Sequence, residues 1–258
     1  MLQNYQPFYQ KLIIPDEKDL YIISDVHGMH ALYKEGCKRL GIKDSDVVIS
    51  LGDLGDRGKE NLKMFVEFTQ KENRYMVLGN HEKMMMDALS DRNWYHCWYQ
   101  NGGHSVLDEV GESGMEVLCK WLNQKPIVLE VHHRGKKLGF IHGGIPCKYE
   151  SVGFEYLDTT WDQVLSMLKT DKGRESLMWD RNTLEAFFYH KENPKGSGKV
   201  KPVLGIDYVF HGHSYVEKPL HIENRIYTDT GSVFNGKLCF TWLDGDNINH
   251  YITGEDEE

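Results

Sequence analysis

Three short motifs bring together residue types that bind metal ions and phosphate groups. They occupy 25–28 (DVHG), 52–58 (GDLGDRG) and 79–82 (GNHE). Ligands of the carboxylate, imidazole and amide-oxygen types suit manganese, iron or zinc better than they suit calcium or a thiolate site. The glycines let the backbone approach bound ions without a clash from a Cβ atom. The motifs therefore indicate metal-assisted chemistry.

Each motif directly follows a segment that is typical of a buried strand. These segments are 20–24 (LYIIS), 47–51 (VVISL) and 75–78 (YMVL). Helices are predicted between them, one over 31–40 that ends at Gly41 and one around 62–66, because apolar residues recur there at helical spacing. This alternation predicts parallel βαβ units, in which the loops at the carboxyl ends of the strands converge on a ligand site.

Each motif taken alone also fits a structural role. The Asp-x-His motif fits a turn at a strand end, and the GDLGDRG motif fits a charged turn with an internal ion pair. The GNHE motif fits the start of a helix, with Asn80 as the cap and Glu82 stabilised by the helix dipole. Three such motifs in order, each at a strand end, favour one shared site over three unrelated structural roles.

Together the motifs resemble the signature of the serine/threonine phosphoprotein phosphatases, a branch of the calcineurin-like metallophosphoesterases. The resemblance extends through 142–144 (HGG) and 212–214 (GHS), which each follow a predicted strand. It is closest to the bacteriophage lambda type of protein phosphatase and its bacterial relatives, through 79–93, 100–105, 177–184 and 216–238. It covers about 20–238, apart from parts of the middle. The fold that it implies is α/β (α+β), with a central mixed β-sandwich flanked by helices.

The resemblance implies a centre of two divalent metal ions, with Mn²⁺ favoured and iron or zinc as alternatives. Asp25 and His27 would bind the first ion, and Asp53 would bridge both ions. Three further ligands would complete the second ion: Asn80, His142 and His213. Two ions roughly 3.5–4 Å apart can lower the pKa of a bridging water and bind the transferring phosphoryl group.

Four more residues receive roles from the resemblance. His81 would be the general acid for the leaving alkoxide, and Asp56 would orient it. Arg57 and Arg181 would hold the phosphoryl oxygens, although a surface ion pair is the alternative for Arg181. An imidazole near its ordinary pKa can protonate a leaving oxygen, and the planar guanidinium suits phosphate.

Three functions compete. The resemblance implies hydrolysis of phosphate monoesters by direct attack of a metal-bridging water, on phosphoserine or phosphothreonine in proteins and also on phosphotyrosine. Symmetrical hydrolysis of dinucleoside tetraphosphates is the alternative, because bacterial enzymes of that kind share these motifs and a similar stretch at 229–233 (DTGSV). A non-catalytic binding module would lack ligands, whereas all the ligand positions are filled here. Many metallophosphoesterases outside this branch end in a Gly-His-x-His motif, and Tyr215 occupies the position of its last histidine here. The resemblance therefore favours the phosphoprotein phosphatases over the phosphodiesterases.

Composition narrows the range of partners. The net charge of −9 argues against nucleic-acid binding, which favours clustered Lys and Arg. The five cysteines are widely spaced and odd in number, so a reducing compartment is predicted. No signal-peptide pattern begins the chain, and no apolar run approaches the roughly 20 residues of a membrane span. We therefore expect a cytoplasmic protein that acts on a phosphorylated protein or peptide, without stable nucleic-acid or membrane binding.

The second half of the chain is predicted to be mainly antiparallel. Hairpins are predicted at 127–141, 232–238 and 243–247, the last two from an Asn-Gly and an Asp-Gly pair. A helix is predicted near 161–168. Residues 1–258 are predicted to form one catalytic domain, with a variable substrate rim at 147–201, a mobile polar loop at 191–201 and an acidic tail at 254–258.

Two groups of residues allow more than one interpretation. His211 shares a strand face with His213, so it packs in the core, supports the metal site from behind its ligands, or competes as a ligand. An aromatic group either lines a substrate groove or packs against the core: Trp94, Tyr95, Trp98 and Tyr99.

Overall fold

The computed structural model describes residues 8–146, 148–150, 153–155, 159–192 and 200–254. Its strands are β1 (Tyr9–Ile13), β2 (Leu20–Ile23), β3 (Val47–Ser50), β4 (Arg74–Met76), β5 (Val128–His133), β6 (Lys136–Ile141), β7 (Lys148–Glu150), β8 (Gly153–Glu155), β9 (Thr159–Thr160), β10 (Val203–Leu204), β11 (Tyr208–His211), β12 (Leu220–Ile222), β13 (Arg225–Tyr227), β14 (Cys239–Asp244) and β15 (Asn247–Ile252). Its α-helices are α1 (His30–Arg39), α2 (Asn61–Gln70), α3 (Asn80–Ala88), α4 (Arg92–Trp98), α5 (His104–Leu122), α6 (Trp161–Met167), α7 (Asp171–Trp179), α8 (Asn182–Glu192) and α9 (Ser232–Asn235), and a π-helical turn at Tyr99–Gly103 joins α4 to α5.

A five-stranded sheet carries the first three motifs at one end. Its strand order is β15-β14-β2-β3-β4, and β2, β3 and β4 are parallel. Ile23 pairs with Ser50, and Ser50 pairs with Met76, so the three strands end in register. The loops that follow them therefore emerge side by side, and the predicted βαβ units are confirmed.

A six-stranded sheet carries the two later motifs. Its order is β1-β5-β6-β11-β13-β12, and β11 runs parallel to β6. Ile141 pairs with His211, so the 142–144 and 212–214 motifs leave neighbouring strand ends. The predicted hairpin of β5 and β6 is confirmed.

The two sheets pack face to face, with helices on the outer side of the first. One buried cluster draws on both sheets: Ile22 and Ile49 from the first, Leu129, Phe140 and Phe210 from the second. The alternate strand residues Ile23 and Val48 point the other way and pack with Tyr33 of α1 and Phe65 of α2. This mixed sandwich flanked by helices is the predicted fold.

One prediction for the C-terminal part is wrong. The 232–238 hairpin is instead the short helix α9, bounded by Gly231 and Gly236 with φ of 78° and 68°. Left-handed backbone at an Asn-Gly pair can end a helix as well as close a hairpin, so the pair alone does not specify which forms. The described strands of this region pair mainly antiparallel, as predicted, although β11 is parallel to both of its neighbours.

Other predictions for this half are confirmed. Residues 239–252 form a hairpin in which Asp244 pairs with Asn247, and α6 occupies the predicted helix. Parts of the predicted rim, the polar loop and the acidic tail lie outside the described residues, at 147, 151–152, 156–158, 193–199 and 255–258. Among the described helices, none has the length and apolar character that crossing a membrane requires.

Candidate metal centre

The loops at the ends of the sheets surround a cavity of about 490 Å³. Eight of the ten predicted site residues line it: Asp25, His27, Asp53, Arg57, Asn80, His81, Arg181 and His213. The other two, Asp56 and His142, are 2% and 0% exposed and contact the lining residues His81 and Asn80. The structure thus brings all ten predicted residues together.

Left-handed backbone conformations aim several of these side chains. The φ angles are 48° at His27, 51° at Asp53, 69° at Asp56 and Arg57, and 62° at His213. Residues other than glycine rarely adopt this conformation, which costs about 1–2 kcal/mol each. Hydrogen bonds across the loops offset part of that cost, since the Asp53 carbonyl oxygen accepts the His27 N–H at 2.9 Å. Strain concentrated in this way is typical of functional sites.

Asp53 lies between the other ligands. Its Oδ2 is 3.6 Å from His27 Nε2, and its Oδ1 is 3.5 Å from His142 Nε2. Each carboxylate oxygen therefore faces a different imidazole. This is the arrangement that a carboxylate bridging two ions requires.

The atoms around His142 fit a divalent cation. His142 Nδ1 donates to the Leu51 carbonyl oxygen at 2.7 Å, so in the neutral imidazole, the form that binds metal, Nε2 carries the lone pair. That lone pair faces Asn80 Oδ1 at 2.8 Å and Asp53 Oδ1 at 3.5 Å. Three electron-rich atoms facing one another repel unless positive charge lies between them. Nitrogen and oxygen ligands of this kind suit Mn²⁺, iron or zinc.

His27 is held in the tautomer and charge state that bind metal. Its Nδ1 donates to the Gly55 carbonyl oxygen at 2.9 Å, so the lone pair lies on Nε2, which accepts a hydrogen bond from Arg57 Nη1 at 2.6 Å. Burial, together with the nearby His81 and Arg57, lowers the pKa of His27 well below its usual value. The imidazole is therefore neutral at physiological pH, and only the neutral form can act as a ligand.

Buried carboxyl groups at and behind the cavity wall would be stabilised in their ionised form by bound cations. Burial raises the pKa of Asp25, Asp53, Glu82 and Asp229. Repulsion from neighbouring acids raises the pKa of Asp25 and Asp53 further. Divalent ions at this point would stabilise the ionised forms and reverse these shifts.

The ligand atoms fall into two groups that share Asp53. His27, Asp53 and His81 form one group, and Asp25, Asp53 and His142 form the other, each with its atoms within 4.8 Å of one another. The grouping differs from the split implied by the resemblance, in which Asp25 and His27 share an ion and His81 binds none. The assignment of ligands to each ion therefore stays a prediction.

His81 and Asp56 form a buried pair at the cavity wall. His81 Nδ1 lies 2.6 Å from Asp56 Oδ2, and Trp98 Nε1 donates to Asp56 Oδ1 at 3.1 Å. Burial lowers the pKa of His81 and raises that of Asp56 to about 8, whereas the short bond between them stabilises both when they are charged together. Because Asp56 occupies Nδ1, the His81 nitrogen that faces the cavity is Nε2.

Two guanidinium groups lie beside the predicted ligands. Arg57 Nη1 is 2.6 Å from His27 Nε2, and its Nη2 is 2.8 Å from His81 Nε2. Arg181 Nε lies 3.1 Å from His213 Nε2. Both side chains thus present planar donors to the cavity, as binding of phosphoryl oxygens requires.

The structure decides between the interpretations of His211 and of the aromatic group. His211 is buried, donates from Nδ1 to the Gly143 carbonyl oxygen at 2.5 Å and stacks on Tyr227, so it packs behind the site. Trp98 is buried and holds Asp56, whereas Trp94 and Tyr99 are 38% and 43% exposed. The aromatic group therefore lies partly in the core and partly at the surface.

Sequence reasoning missed the main role of Glu82. Its carboxylate accepts the N–H groups of Asp53 and Leu54 at 2.8 Å each and of Gly79 at 2.9 Å. One side chain thus ties the 52–58 loop to the 79–82 loop. Asp229, which lines the cavity and accepts the Gly231 N–H at 3.0 Å, was also missed. The contacts of Glu82 with Asp53 and Leu54 span 29 and 28 positions, and no local motif signals contacts of that range.

We expect Glu82→Gln to weaken both folding and metal binding. Glutamine has one accepting oxygen in place of two, so at least one buried N–H loses its partner, at a cost of about 1–3 kcal/mol. The melting temperature and Mn²⁺ affinity, by calorimetry, should both fall. Glu109→Gln is the matched control, because Glu109 likewise accepts two backbone N–H groups, but they belong to Asn61 and Leu62 of α2 and not to a loop that carries a predicted ligand. Unchanged Mn²⁺ affinity in Glu82→Gln would contradict this role.

The model of the calcineurin-like phosphoesterase family matches residues 19–217. The chain belongs to this family. Members use a dinuclear metal site, which agrees with the carboxylate shared by two ligand groups.

Several known proteins are similar to this chain along most of their length. Serine/threonine-protein phosphatase 2 of Salmonella typhimurium is 29% identical over 227 residues, covering 86% of this chain and 92% of the relative. An asymmetrical bis(5'-nucleosyl)-tetraphosphatase, PrpE of a Geobacillus species, is 23% identical and covers 84% and 87%. A protein serine/threonine phosphatase from Saccharomyces cerevisiae shares the fold, with a TM-score of 0.61 at 12% identity, over 98% of this chain and 85% of that one.

Proposed function

We propose that this metallophosphoesterase is a protein phosphatase, which hydrolyses phosphoserine and phosphothreonine, and also phosphotyrosine, in proteins. The observation that carries the proposal is the buried His81–Asp56 pair beside Arg57. A proton donor next to a phosphate-binding guanidinium serves the expulsion of a poor leaving group such as an alkoxide. The Salmonella relative named as a serine/threonine-protein phosphatase supports the same substrate class.

The proposed ligands are the set implied by the resemblance: Asp25, His27, Asp53, Asn80, His142 and His213. Two bound ions, with Mn²⁺ favoured, would supply a nucleophilic water and neutralise charge on the phosphoryl group. The side chains around them fix the other requirements of the reaction. Arg57 and Arg181 orient the phosphoryl oxygens, and His81 delivers a proton from Nε2 to the leaving oxygen while Asp56 holds Nδ1.

Hydrolysis of dinucleoside tetraphosphates is the second candidate. It is favoured by the similarity to the PrpE tetraphosphatase, which is named as asymmetrical, whereas the stretch at 229–233 suggests the symmetrical type. A turnover panel separates the candidates: phosphoserine and phosphothreonine peptides, p-nitrophenyl phosphate and diadenosine tetraphosphate. We expect kcat/KM to be highest for the phosphopeptides. We also propose that the protein acts in the cytoplasm. A sharp preference for the tetraphosphate would overturn the proposal.

We expect activity on p-nitrophenyl phosphate to require added Mn²⁺ and to be lost with a chelator. The reason is the convergence of carboxylate, imidazole and amide-oxygen atoms, whose mutual repulsion positive charge must relieve. The measurement is the rate against free Mn²⁺, with metal content followed by mass spectrometry. Iron and zinc added to the same apoprotein test the alternatives. Full activity in demonstrably metal-free protein would exclude the metal mechanism.

A further inference from the structure

A second cavity, of about 700 Å³, lies beside the metal centre. Helices α3 and α4 supply one wall, and α7 and α8 supply the other. Trp179 and Arg181 line both this cavity and the metal-centre cavity, so the two adjoin each other. We call it the side groove and define it by Trp94, Trp179, Glu175, Asp180 and Glu185.

The side groove presents two indoles. Trp94 and Trp179 are each 38% exposed, although tryptophan is usually well covered. Trp179 is anchored to the metal centre, since its carbonyl oxygen lies 3.1 Å from His213 Nε2. Exposed indole faces attract cationic side chains, and the attraction is stronger for Trp than for other aromatic residues.

The charged side chains of the side groove sum to a net negative charge. Lys83 is neutralised by Asp87, whose Oδ2 lies 2.6 Å from its Nζ. Glu175 and Glu185 are exposed, and neither has an ion-pair partner in the described part of the chain. Asp180 accepts two hydrogen bonds from Asn182, and burial raises its pKa only to about 6, so it is mostly ionised above pH 7. These three carboxylates outnumber the two remaining cations, Lys172 and Arg181, and Arg181 also lines the metal-centre cavity.

We infer that the side groove binds a basic side chain of a phosphoprotein substrate, close in sequence to the phosphorylated residue. The inference rests on the proposed function. An Arg or Lys side chain there meets indole faces and carboxylates together, while the phosphoryl group reaches the adjoining metal centre past Arg181. The remaining charges of a dinucleoside tetraphosphate would instead meet the carboxylates of Glu175, Asp180 and Glu185, and like charges repel.

The test is a set of phosphoserine peptides that differ only by one Arg, Ala or Glu at each position near the phosphoserine. We expect kcat/KM for the best Arg peptide to exceed that of its Glu counterpart by about tenfold, within the range that cation–π and ion-pair contacts give. The double variant Glu175→Lys/Glu185→Lys should remove or reverse this preference, and Trp94→Ala should reduce it. None of these changes should affect p-nitrophenyl phosphate, which is too small to reach the groove. The double variant Glu112→Lys/Glu116→Lys makes an equal charge change at exposed positions of α5, so it is the matched control and should keep the preference.

The outcomes separate this inference from the proposed function. Hydrolysis of all peptides without any preference for a basic residue overturns the inference and leaves the phosphatase activity standing. A preference that survives in the Glu175→Lys/Glu185→Lys variant places its origin elsewhere and also overturns the inference. If no phosphopeptide is hydrolysed while p-nitrophenyl phosphate is, both fall. A loss in Trp94→Ala confined to diadenosine tetraphosphate would assign the groove to a nucleoside instead.

Discussion

Replacing Asp53 by asparagine should cause the largest loss of any single ligand change. Both carboxylate oxygens face imidazole ligands, at 3.6 Å from His27 and 3.5 Å from His142, and an amide offers only one oxygen and no charge. We therefore expect Asp53→Asn to lose metal at both sites, whereas Asp25→Asn should keep more metal and more activity. Mass spectrometry gives the metal content, and turnover of p-nitrophenyl phosphate gives the activity.

The melting temperature shows whether the loss is simply unfolding. Burial and the nearby Glu82 raise the pKa of Asp53 in the absence of metal, which means that its charge destabilises the metal-free fold. Metal-free Asp53→Asn should thus melt no lower than metal-free wild type. Wild type should gain melting temperature when Mn²⁺ is added, because a ligand that binds only the folded state stabilises it, and the variant should not.

Two results would count against the bridging role of Asp53. One is Asp53→Asn protein that retains two metal ions with near-normal turnover. The other is a loss equal to that of Asp25→Asn with one ion still bound. The control Asp108→Asn makes the same chemical change at an exposed position of α5 and should match wild type in every measurement.

The convergence of the site was predictable because it follows from strand order and register. Strands that run parallel and end together, as β2, β3 and β4 do, must bring their following loops to one place. A local motif after each strand therefore carries information about a long-range contact. The same logic places His142 beside His213, since β6 and β11 are parallel neighbours.

Contacts between unrelated parts of the chain were not predictable in this way. The bond from Trp98 to Asp56 joins residues 42 positions apart, and nothing local to either residue specifies it. The side groove needs α3 and α4 to face α7 and α8, which no periodicity reveals. The short helix α9 replaced a predicted hairpin because left-handed glycines fit both, and only a pairing strand decides between them.

His81→Asn should retain metal yet lose activity in a way that depends on the leaving group. Expulsion of the serine alkoxide needs a proton, whereas p-nitrophenolate leaves with little protonation. A positioned imidazole contributes about 10²–10⁴ in rate to such a proton transfer. We expect a loss of this size on phosphoserine peptides and a much smaller one on p-nitrophenyl phosphate, measured as kcat on metal-saturated protein. His96→Asn, an exposed histidine on α4, is the matched control.

The environment of His81 explains why its protonation depends on the bound substrate. Burial and Arg57, 2.8 Å from Nε2, lower the pKa of His81, which opposes protonation in the free enzyme. Asp56 opposes this shift from the other side, at 2.6 Å from Nδ1, and a bound phosphate dianion would draw the Arg57 charge onto its own oxygens. Asp56→Asn should therefore give a milder version of the same pattern, because it removes the orienting charge and keeps the imidazole. Equal losses on both substrates with metal intact would make His81 a phosphate-binding group, and loss of metal would make it a ligand, as its place beside His27 and Asp53 allows.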